Sequence, residues 1–328
     1  MAVLVTGGAG YIGSHMVLAL ADRGEEVVVL DNLVTGFDWA IDGRAQFENG
    51  NAGDIDRVVE IIGKYGINEI AHFAGSIVVP ESVRDPLKYY ANNTATSRNL
   101  IEAAVKGGVK HFIFSSTAAV YGMTGLAPVV EETPLNPLSP YGRSKLMTEW
   151  MLADVAAAHP MTYGALRYFN VAGADPQQRS GQSTPEATHL IKVACQVALG
   201  QREKMDIFGT DYETPDGTCI RDYIHVTDLI AAHVRLLDHL RAGQPSTTLN
   251  CAYGRGYSVR EVVEMVRDVT GVDIRADEGP RRPGDPASIT ATGEKVRAVL
   301  DWRPEHDDLR EIVGSAYAWE RHLMTRNR

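Results

Sequence analysis

A tyrosine and a lysine four residues apart, Tyr141 and Lys145, form the residue pair best suited to proton transfer. They follow Ser139-Pro140, a serine that can cap a helix and a proline suited to its first position. The spacing therefore predicts that both side chains lie on one helical face. A free tyrosine has a pKa of about 10, and a nearby lysine cation favours the phenolate and lowers that pKa. The pair predicts a general base, and Thr117 can hydrogen-bond the same substrate oxygen.

Such pairs are common on helix surfaces, and this one gains meaning from glycines at positions 7, 10 and 13. These glycines follow a short apolar strand pattern and precede a helical one. Gly7 permits a tight turn, Gly10 lets the backbone approach a pyrophosphate at the helix N-terminus, and Gly13 permits close packing of helix on strand. The pattern predicts a dinucleotide site that includes Tyr11 and Ile12.

Further candidate cofactor residues follow the later predicted strands. Asp31 ends the second strand, where a carboxylate accepts a hydrogen bond from a ribose 2′-hydroxyl and repels a 2′-phosphate, so NAD is predicted rather than NADP. Asp54-Ile55 is predicted to flank the adenine. Phe73-Ala74-Gly75 is predicted to lie on the nicotinamide side.

Continuous apolar runs alternate with helical patterns through the first half of the chain. Such alternation indicates a parallel sheet covered on both faces. The fold class predicted is α/β, a Rossmann-type doubly wound parallel sheet with a smaller α/β substrate-binding C-terminal region. We assign residues 1–170 to the NAD-binding part and 171–328 mainly to the substrate-binding part, with the chain weaving between them. Helices are predicted at 12–22, 87–105, 141–158, 186–199 and 258–270.

Composition narrows the class of protein. The 328 residues include 32 Lys and Arg against 42 Asp and Glu, a formal charge of −10, which disfavours sequence-independent binding of nucleic acid. An apolar run of about 18 residues is lacking, so we expect no membrane span. The three cysteines contain no Cys-x-x-Cys, so neither a disulfide framework nor a metal site is predicted. Without a signal-peptide pattern, the expected location is cytoplasmic.

Taken together, these residues resemble the extended short-chain dehydrogenase/reductases, and within them the UDP-glucose 4-epimerases. The resemblance spans nearly the whole chain. The segments that carry it are Gly-Gly-Ala-Gly-Tyr-Ile-Gly-Ser-His (7–15), His-Phe-Ala-Gly (72–75), Glu-Ser-Val (81–83), Ser-Pro-Tyr-Gly-x-Ser-Lys-Leu-Met (139–147), Arg-Tyr-Phe-Asn (167–170), Asp-Gly-Thr-Cys-Ile-Arg-Asp-Tyr-Ile-His-Val (216–226) and Pro-Arg-Arg-Pro-Gly-Asp (280–285).

The resemblance implies interconversion of UDP-glucose and UDP-galactose through a 4-keto sugar, with tightly held NAD⁺ taking and returning the C4 hydride. Tyr141 would take the proton of the 4-hydroxyl, Lys145 would tune it with the help of the nicotinamide charge, and Thr117 would stand for the family's Ser/Thr. It adds four residues to the cofactor site: Asn32, Asn92, Ser115 and Phe169. The implied substrate contacts, besides Thr117, are Asn170, His189, Leu190, Phe208, Arg221, Arg282 and Asp285. It also implies a homodimer formed by helices 87–105 and 141–158.

The chain departs from the family pattern at three places. Ser76-Ile77 stand where some epimerases have a lysine, so a cofactor or substrate contact is lost or replaced. His189 stands where some members have asparagine. Ile289, of intermediate size, occupies a position that governs tolerance of N-acetyl groups, and it leaves acceptance of UDP-N-acetyl sugars open.

Two enzymes on the same scaffold and one non-enzyme compete with this interpretation. A 4,6-dehydratase needs an acidic pair after the threonine, and Ala118-Ala119 cannot supply it. A UDP-glucuronate decarboxylase would share the NAD site and Tyr141, so it stays open. A regulatory subunit that senses NAD is disfavoured because Tyr141 and Lys145 are both present.

Overall fold

A computed structural model describes residues 2–184, 188–282 and 285–326. The strands are β1 (Ala2–Thr6), β2 (Glu26–Asp31), β3 (Gln46–Asn49), β4 (Ile67–His72), β5 (His111–Ser115), β6 (Thr162–Tyr168), β7 (Asn170–Ala172), β8 (Met205–Phe208), β9 (Ile220–His225), β10 (Thr247–Cys251), β11 (Gly256–Ser258), β12 (Ala276–Gly279) and β13 (Ser288–Ile289). The helices are α1 (Tyr11–Asp22), α2 (Ile55–Tyr65), α3 (Val79–Arg84), α4 (Pro86–Tyr89), α5 (Thr96–Gly107), α6 (Pro140–Ala158), α7 (Leu190–Ala198), α8 (Val226–Arg241), α9 (Val259–Thr270), α10 (Glu294–Leu300) and α11 (Leu309–Arg326).

The central sheet has seven strands in the order β10-β6-β5-β4-β1-β2-β3, and every neighbouring pair is parallel. Its inner strands are buried along their whole length, which explains the continuous apolar runs of the sequence. The predicted doubly wound α/β fold is confirmed. The order of the strands reverses between β1 and β4, and in such sheets ligands bind outside the carboxyl ends of the strands at that point.

The later part of the chain builds two small sheets and also returns to the large one. Strand β9 pairs with β7 and β13 in parallel and with β11 in antiparallel, while β8 pairs with β12. Strand β10 joins the central sheet beside β6. Residues beyond 170 therefore contribute to both regions, and a boundary at residue 170 stays a prediction.

Two predicted helices differ from the observed ones. The stretch 87–105 is not a single α-helix, because Tyr90–Ala95 between α4 and α5 forms a π-helical turn. Asn93 lies in this turn and is 2% exposed, so the wider turn carries a polar side chain into the interior. The stretch 186–199 is observed as α7 from Leu190, and its first two residues lie outside the described ranges.

Within the described residues, none of the helices combines the length and the apolar character that crossing a membrane requires.

Buried neutral histidines predict loss of stability in mild acid. Burial lowers the pKa of His72 and His225 to about 3 and that of His15 and His233 to about 4. Between the unfolded value of about 6.5 and these values, the unfolded chain binds protons that the folded chain does not. Stability is therefore full above pH 6.5 and decreases as the pH falls, by up to about 1.4 kcal/mol per pH unit for each histidine.

One buried carboxyl opposes this slope, because burial raises the pKa of Asp222 to about 7. Four histidines outweigh one carboxyl, so we expect the thermal midpoint to fall steadily between pH 7 and pH 4.5. Carboxylates with lowered pKa values act only below that window. Calorimetry across this range measures the effect, and a midpoint that stays flat down to pH 4.5 contradicts it.

Candidate active site

The predicted cofactor residues lie where the strands of the central sheet end. Because these strands are parallel, their carboxyl ends form one edge of the sheet. Residues placed there, each directly at or just after its strand, are Gly7 after β1, Asp31 and Asn32 at β2, Asp54 after β3, Phe73, Ala74 and Gly75 after β4, Ser115 and Thr117 at β5, and Phe169 and Asn170 after β6. The topology thus brings residues far apart in sequence to one edge.

The glycine-rich loop between β1 and α1 is folded too tightly for side chains. Gly7 has a φ of +72°, and a Cβ there would lie 2.6 Å from the backbone nitrogen of Ala74. A Cβ on Gly13 would lie 2.1 Å from the carbonyl oxygen of Gly7. At Gly10 the nearest atom would be 3.3 Å away, so this glycine faces a more open space. Gly7 and Gly13 serve packing, and Gly10 leaves room for a ligand.

The start of α1 is suited to a phosphate. Gly10 is its N-cap, and within the described ranges no side chain accepts a hydrogen bond from its first turn. Free N–H groups at a helix N-terminus attract anions. A cavity opens beside this turn, lined by Ala9, Gly10, Tyr11, Ser14, Thr35, Phe37, Ala40, Gly181, Ser183 and Thr184. Tyr11 donates a hydrogen bond of 2.7 Å to the Gly173 carbonyl and so closes one side.

Asp31 is tied to the glycine-rich loop. One carboxylate oxygen accepts the N–H of Ala9 at 3.0 Å, and the other accepts that of Leu33 at 2.8 Å. The adjacent Asn32 is exposed, and its side-chain oxygen accepts the N–H of Val34 at 3.2 Å. The Asp31 carboxylate therefore lies between the loop and the end of β2, where a ribose of the dinucleotide is predicted.

Tyr141 and Lys145 are held by the first turns of α6. Ser139 caps this helix by accepting the N–H of Gly142 at 3.1 Å, and Pro140 is the first helical residue, as the sequence predicts. Lys145 is 4% exposed and donates a hydrogen bond of 2.9 Å to the Ser115 carbonyl. Its ammonium is thereby fixed at the end of β5, directly beside the strand that leads to Thr117.

The protein atoms shift the pKa of Tyr141 in the direction opposite to the prediction. Burial raises it, and a hydrogen bond with the Thr117 side chain lowers it by less. Burial also lowers the pKa of Lys145 to about 8, so the lysine loses most of its positive charge once the pH exceeds that value. The predicted lowering counts the nicotinamide charge as well as Lys145, and the protein atoms alone do not supply it. A positive nicotinamide ring would be a further charge favouring the phenolate.

Asn93, an asparagine that the sequence did not predict, contacts the loop assigned to the nicotinamide side. Asn93 accepts the N–H of Ser76 at 2.8 Å, and donates to the Ser76 carbonyl and to the Ser144 hydroxyl, each at 3.0 Å. It therefore joins the loop after β4 to the residue that precedes Lys145. The predicted Asn92 is exposed, and its amide donates to the Ser76 hydroxyl at 3.1 Å. Asn93 directly follows the predicted Asn92, and this adjacency is the signal in the sequence that could have indicated it.

Arg282, a predicted substrate residue, contacts two others, Phe208 and Asp285. The guanidinium of Arg282 stacks 4.8 Å from the ring centre of Phe208, and its Nε donates to the Asp285 carboxylate at 2.9 Å. Arg221 and Arg282 both lower the pKa of the Tyr223 phenol against the larger raising effect of burial. Both guanidiniums therefore lie near enough to Tyr223 to act on its charge. An aromatic ring, two arginines and a carboxylate form a set of groups that suits a nucleoside diphosphate.

The other predicted substrate residues lie on adjoining elements. Asn170 begins β7 and is paired with Tyr223 of β9, next to the arginines. His189 directly precedes α7 without a capping hydrogen bond from its side chain, and burial lowers the pKa of its imidazole. Leu190, the first residue of α7, packs on the main hydrophobic core. The structure gives His189 a partner in the amide of Gln182, 3.3 Å from its Nδ1.

Of the remaining predicted residues, some have clear structural contacts. The Asp54 carboxylate caps α2 by accepting the N–H of Arg57 at 3.1 Å, and Ile55 is the first residue of that helix. Phe169 packs against a small core cluster that includes Leu146 of α6. Ile289 packs on the same cluster.

The sequence matches that of a known family over most of its length. The profile of the NAD-dependent epimerase/dehydratase family matches residues 3–252. A UDP-glucose 4-epimerase of Azospirillum brasilense is 54% identical over 321 residues, which cover 98% of this chain and 92% of that protein. The chain belongs to the NAD-dependent epimerase/dehydratase family.

Solved structures agree with this family membership. A crystal structure of a UDP-glucose 4-epimerase is 45% identical, with a TM-score of 0.96 over 98% of both chains. The enzyme from Brucella ovis in complex with NAD is 42% identical, with a TM-score of 0.94 over 97% of both chains. That from Bifidobacterium longum in complex with NAD⁺ and UDP is 35% identical, with a TM-score of 0.92 over 98% of both chains.

The residues of this epimerase-family chain fit an NAD molecule. Gly7 and Gly13 carry no side chain where the loop is tightest, Gly10 faces a more open space, and α1 presents free N–H groups. The Asp31 carboxylate stands at the neighbouring strand, where a ribose binds in such folds. Lys145 lies at the end of β5, on the side assigned to the nicotinamide.

Proposed function

We propose that the chain interconverts UDP-glucose and UDP-galactose by inverting C4 of the sugar through a 4-keto intermediate. The observation that carries the proposal is the arrangement of Tyr141, Thr117 and Lys145 at the carboxyl edge of an NAD-type sheet. Relatives that are up to 54% identical to this chain are named UDP-glucose 4-epimerases, and this supports the same activity.

The chain's own residues supply the acid and base. Tyr141 accepts the proton of the sugar 4-hydroxyl and returns it after the sugar has turned over. The Thr117 hydroxyl bonds the same oxygen and favours the phenolate of Tyr141. Lys145 holds the end of β5 in place through the Ser115 carbonyl. Bound NAD⁺ supplies the acceptor, and then the donor, of the C4 hydride.

The nucleotide end of the substrate is assigned to the cluster around Tyr223. Phe208 would pack on the uracil, Arg221 and Arg282 would bind the diphosphate, and Asp285 would accept a ribose hydroxyl. The contacts among Phe208, Arg282 and Asp285 support this assignment. Ile289 packs on the core cluster that includes Leu146 of α6, the helix that carries Tyr141, so it would border the sugar.

Proton NMR of UDP-galactose incubated with the purified protein tests the activity. One tube receives NAD⁺ and a second receives none, because a redox-neutral cycle allows cofactor carried through purification to suffice. The anomeric signal of UDP-glucose is expected to grow to a fixed ratio without net NADH. A parallel tube with UDP-N-acetylgalactosamine tests how much room Ile289 leaves.

A second set of tubes separates the competing enzyme. If UDP-glucuronate is converted with release of CO₂ while UDP-galactose is unchanged, a decarboxylase replaces the epimerase. If folded, NAD-loaded protein converts neither sugar, the hypothesis of a regulatory subunit that senses NAD gains support.

Replacing Arg282 with alanine is expected to weaken substrate binding. A charge-assisted bond to phosphate is worth about 1.5–3 kcal/mol, so KM for UDP-galactose should rise about 10- to 100-fold while kcat changes little. Steady-state kinetics and calorimetric titration with UDP measure both quantities. Arg275, an exposed arginine paired with Asp277 on β12, provides the control, and its alanine variant should keep wild-type KM. A KM unchanged in Arg282→Ala contradicts the diphosphate assignment.

We also propose a C₂ homodimer formed by α5 and α6 with the segment before α5. Leu87 and Trp150, on α4 and α6, are 76% and 56% exposed, which is unusual for such large apolar side chains. A two-fold contact would bury them. Light scattering at micromolar protein checks this, and a mass near the 35.8 kDa of one chain contradicts it.

A cytoplasmic location completes the proposal. It is supported by the free, buried thiols of Cys195, Cys219 and Cys251, which suit a reducing compartment. Cell fractionation with an antibody to the chain tests it, and recovery in an extracytoplasmic fraction contradicts it.

A further inference from the structure

A buried ion pair lies directly behind the proposed proton-transfer site. Glu149 on α6 and Arg167 on β6 are 5% and 6% exposed. The guanidinium meets the carboxylate through Nε at 3.0 Å and through Nη2 at 2.6 Å. Glu149 is one turn beyond Lys145 on the same helix, so it faces the same strands.

This pair contacts the chain on both sides of Thr117. On the upstream side, the Ser116 hydroxyl donates to the Glu149 carboxylate. On the downstream side, Arg167 donates from Nη1 to the Tyr121 hydroxyl at 3.0 Å, and its guanidinium stacks 5.1 Å from the centre of that ring. Thr117 is thus held between two residues that are bound to one ion pair.

The contacts continue toward the later part of the chain. The Tyr121 hydroxyl donates to the side-chain oxygen of Asn250 at 2.7 Å, and the Asn250 N–H donates to Glu131 at 2.8 Å. Asn250 belongs to β10, the edge strand of the central sheet. The ion pair therefore lies in a network that joins α6, β6, β10 and the segment after β5.

Stability alone does not account for charges at this place. Removing two charges from water is costly, and an apolar pair of similar volume is often as stable or more stable. What a buried pair with several directed hydrogen bonds provides is a fixed relative position of the elements that it joins. Here those elements carry Tyr141 and Thr117, whose hydroxyls must meet on one substrate oxygen.

We propose that Glu149 and Arg167 are positioning residues that hold Thr117 in register with Tyr141 for proton removal from the sugar hydroxyl. The inference rests on the proposed epimerase function. Misplacing catalytic groups by about 1 Å can lower a rate about 100-fold without loss of binding. Substrate affinity should therefore be unaffected while the chemical step slows.

The test compares Tyr121→Phe and Glu149→Gln with the wild-type holoenzyme. Tyr121→Phe keeps the ring and removes only the hydroxyl that receives Arg167. Expected are a kcat lower by about 10- to 100-fold in Tyr121→Phe and Glu149→Gln, and a KM for UDP-galactose within about twofold. UDP affinity by calorimetry should be unchanged. The isotope effect on kcat with UDP-galactose deuterated at C4 should increase, because proton removal and hydride transfer together form the oxidation step, which becomes rate-limiting.

The control is a buried carboxylate in the first half of β4, away from the carboxyl ends of the strands. Glu69 of β4 is 1% exposed and pairs with Arg241. Glu69→Gln is expected to lower the melting midpoint while kcat and the isotope effect keep their wild-type values.

Two results overturn the inference. One is a Tyr121→Phe variant with wild-type kcat and isotope effect. The other is a Glu149→Gln variant whose rate falls only in proportion to its folded fraction, since that pattern marks a structural role. A wild-type chain that binds UDP but does not turn over UDP-galactose overturns the proposed function first, and this inference with it.

Discussion

Substitution of Tyr141 by phenylalanine is expected to lower kcat about 1,000-fold. The change removes the group that exchanges a proton with the substrate, and positioned acid–base groups contribute factors of about 10² to 10⁴. The ring would still pack edge-on against Tyr89, 6.4 Å between ring centres, so the fold should be kept.

Initial rates of UDP-galactose conversion measure this effect, and melting curves and UDP titrations show that the variant is folded and binds nucleotide. Tyr163 on β6 offers a matched control, since it packs on a core cluster away from the carboxyl edge. Tyr163→Phe should retain wild-type kcat. If Tyr141→Phe retains more than about a tenth of wild-type kcat, the residue is not the base.

Alanine at Gly13 is expected to abolish NAD binding and to destabilise the protein by about 1–3 kcal/mol. Its Cβ would lie 2.1 Å from the Gly7 carbonyl oxygen and 2.8 Å from the Gly7 carbonyl carbon. Both are backbone atoms, so the loop itself must move. The start of α1 would then be displaced from the position in which its N–H groups face a pyrophosphate.

Nucleotide released from denatured protein reports how much cofactor the variant carries, and urea unfolding gives the change in stability. Gly63 within α2 is the control, because a Cβ there has open space. Gly63→Ala should keep NAD and gain about 0.5–1 kcal/mol, since alanine favours helix. NAD content equal to that of the wild type in Gly13→Ala would falsify the proposed role of this loop.

Residue types that rarely occur together made the cofactor part of the site predictable. Three glycines with fixed spacing, a strand-end carboxylate and a Tyr-Lys pair each have a chemical reason that depends only on local geometry. Strands β1, β2, β4, β5 and β6 were predictable for a similar reason, because strands buried on both faces read as continuous apolar runs. Strand β10 carried no such pattern, since Thr247–Cys251 is half polar and pairs with a strand some 80 residues earlier.

Polar residues inside helices were the main part of the site that could not be predicted. Asn93 and Glu149 each lie on a helical segment, where a polar side chain ordinarily faces solvent. Both are buried because another element packs over that face, which the local sequence does not reveal. In hindsight, Glu149 repeats the spacing of Tyr141 and Lys145, and Arg167 is a charge inside an apolar strand, so the two could have been paired.

The effect of burial on the pKa of Tyr141 was not predictable for the same reason. A charge four residues away can be counted from sequence, whereas desolvation depends on how the whole molecule closes over the phenol. Burial outweighs the contribution of Thr117, and it also lowers the pKa of Lys145.

The position of β10 has a consequence for biosynthesis. Strand β6 has been synthesised once the ribosome reaches residue 168, but its partner β10 is complete only at residue 251. During that interval β6 exposes unpaired N–H and C=O groups, a template for pairing with other nascent chains. Non-local pairing of this kind also slows folding. A chain ending at residue 170 should therefore aggregate, and the nascent protein should need a holding chaperone until β10 docks.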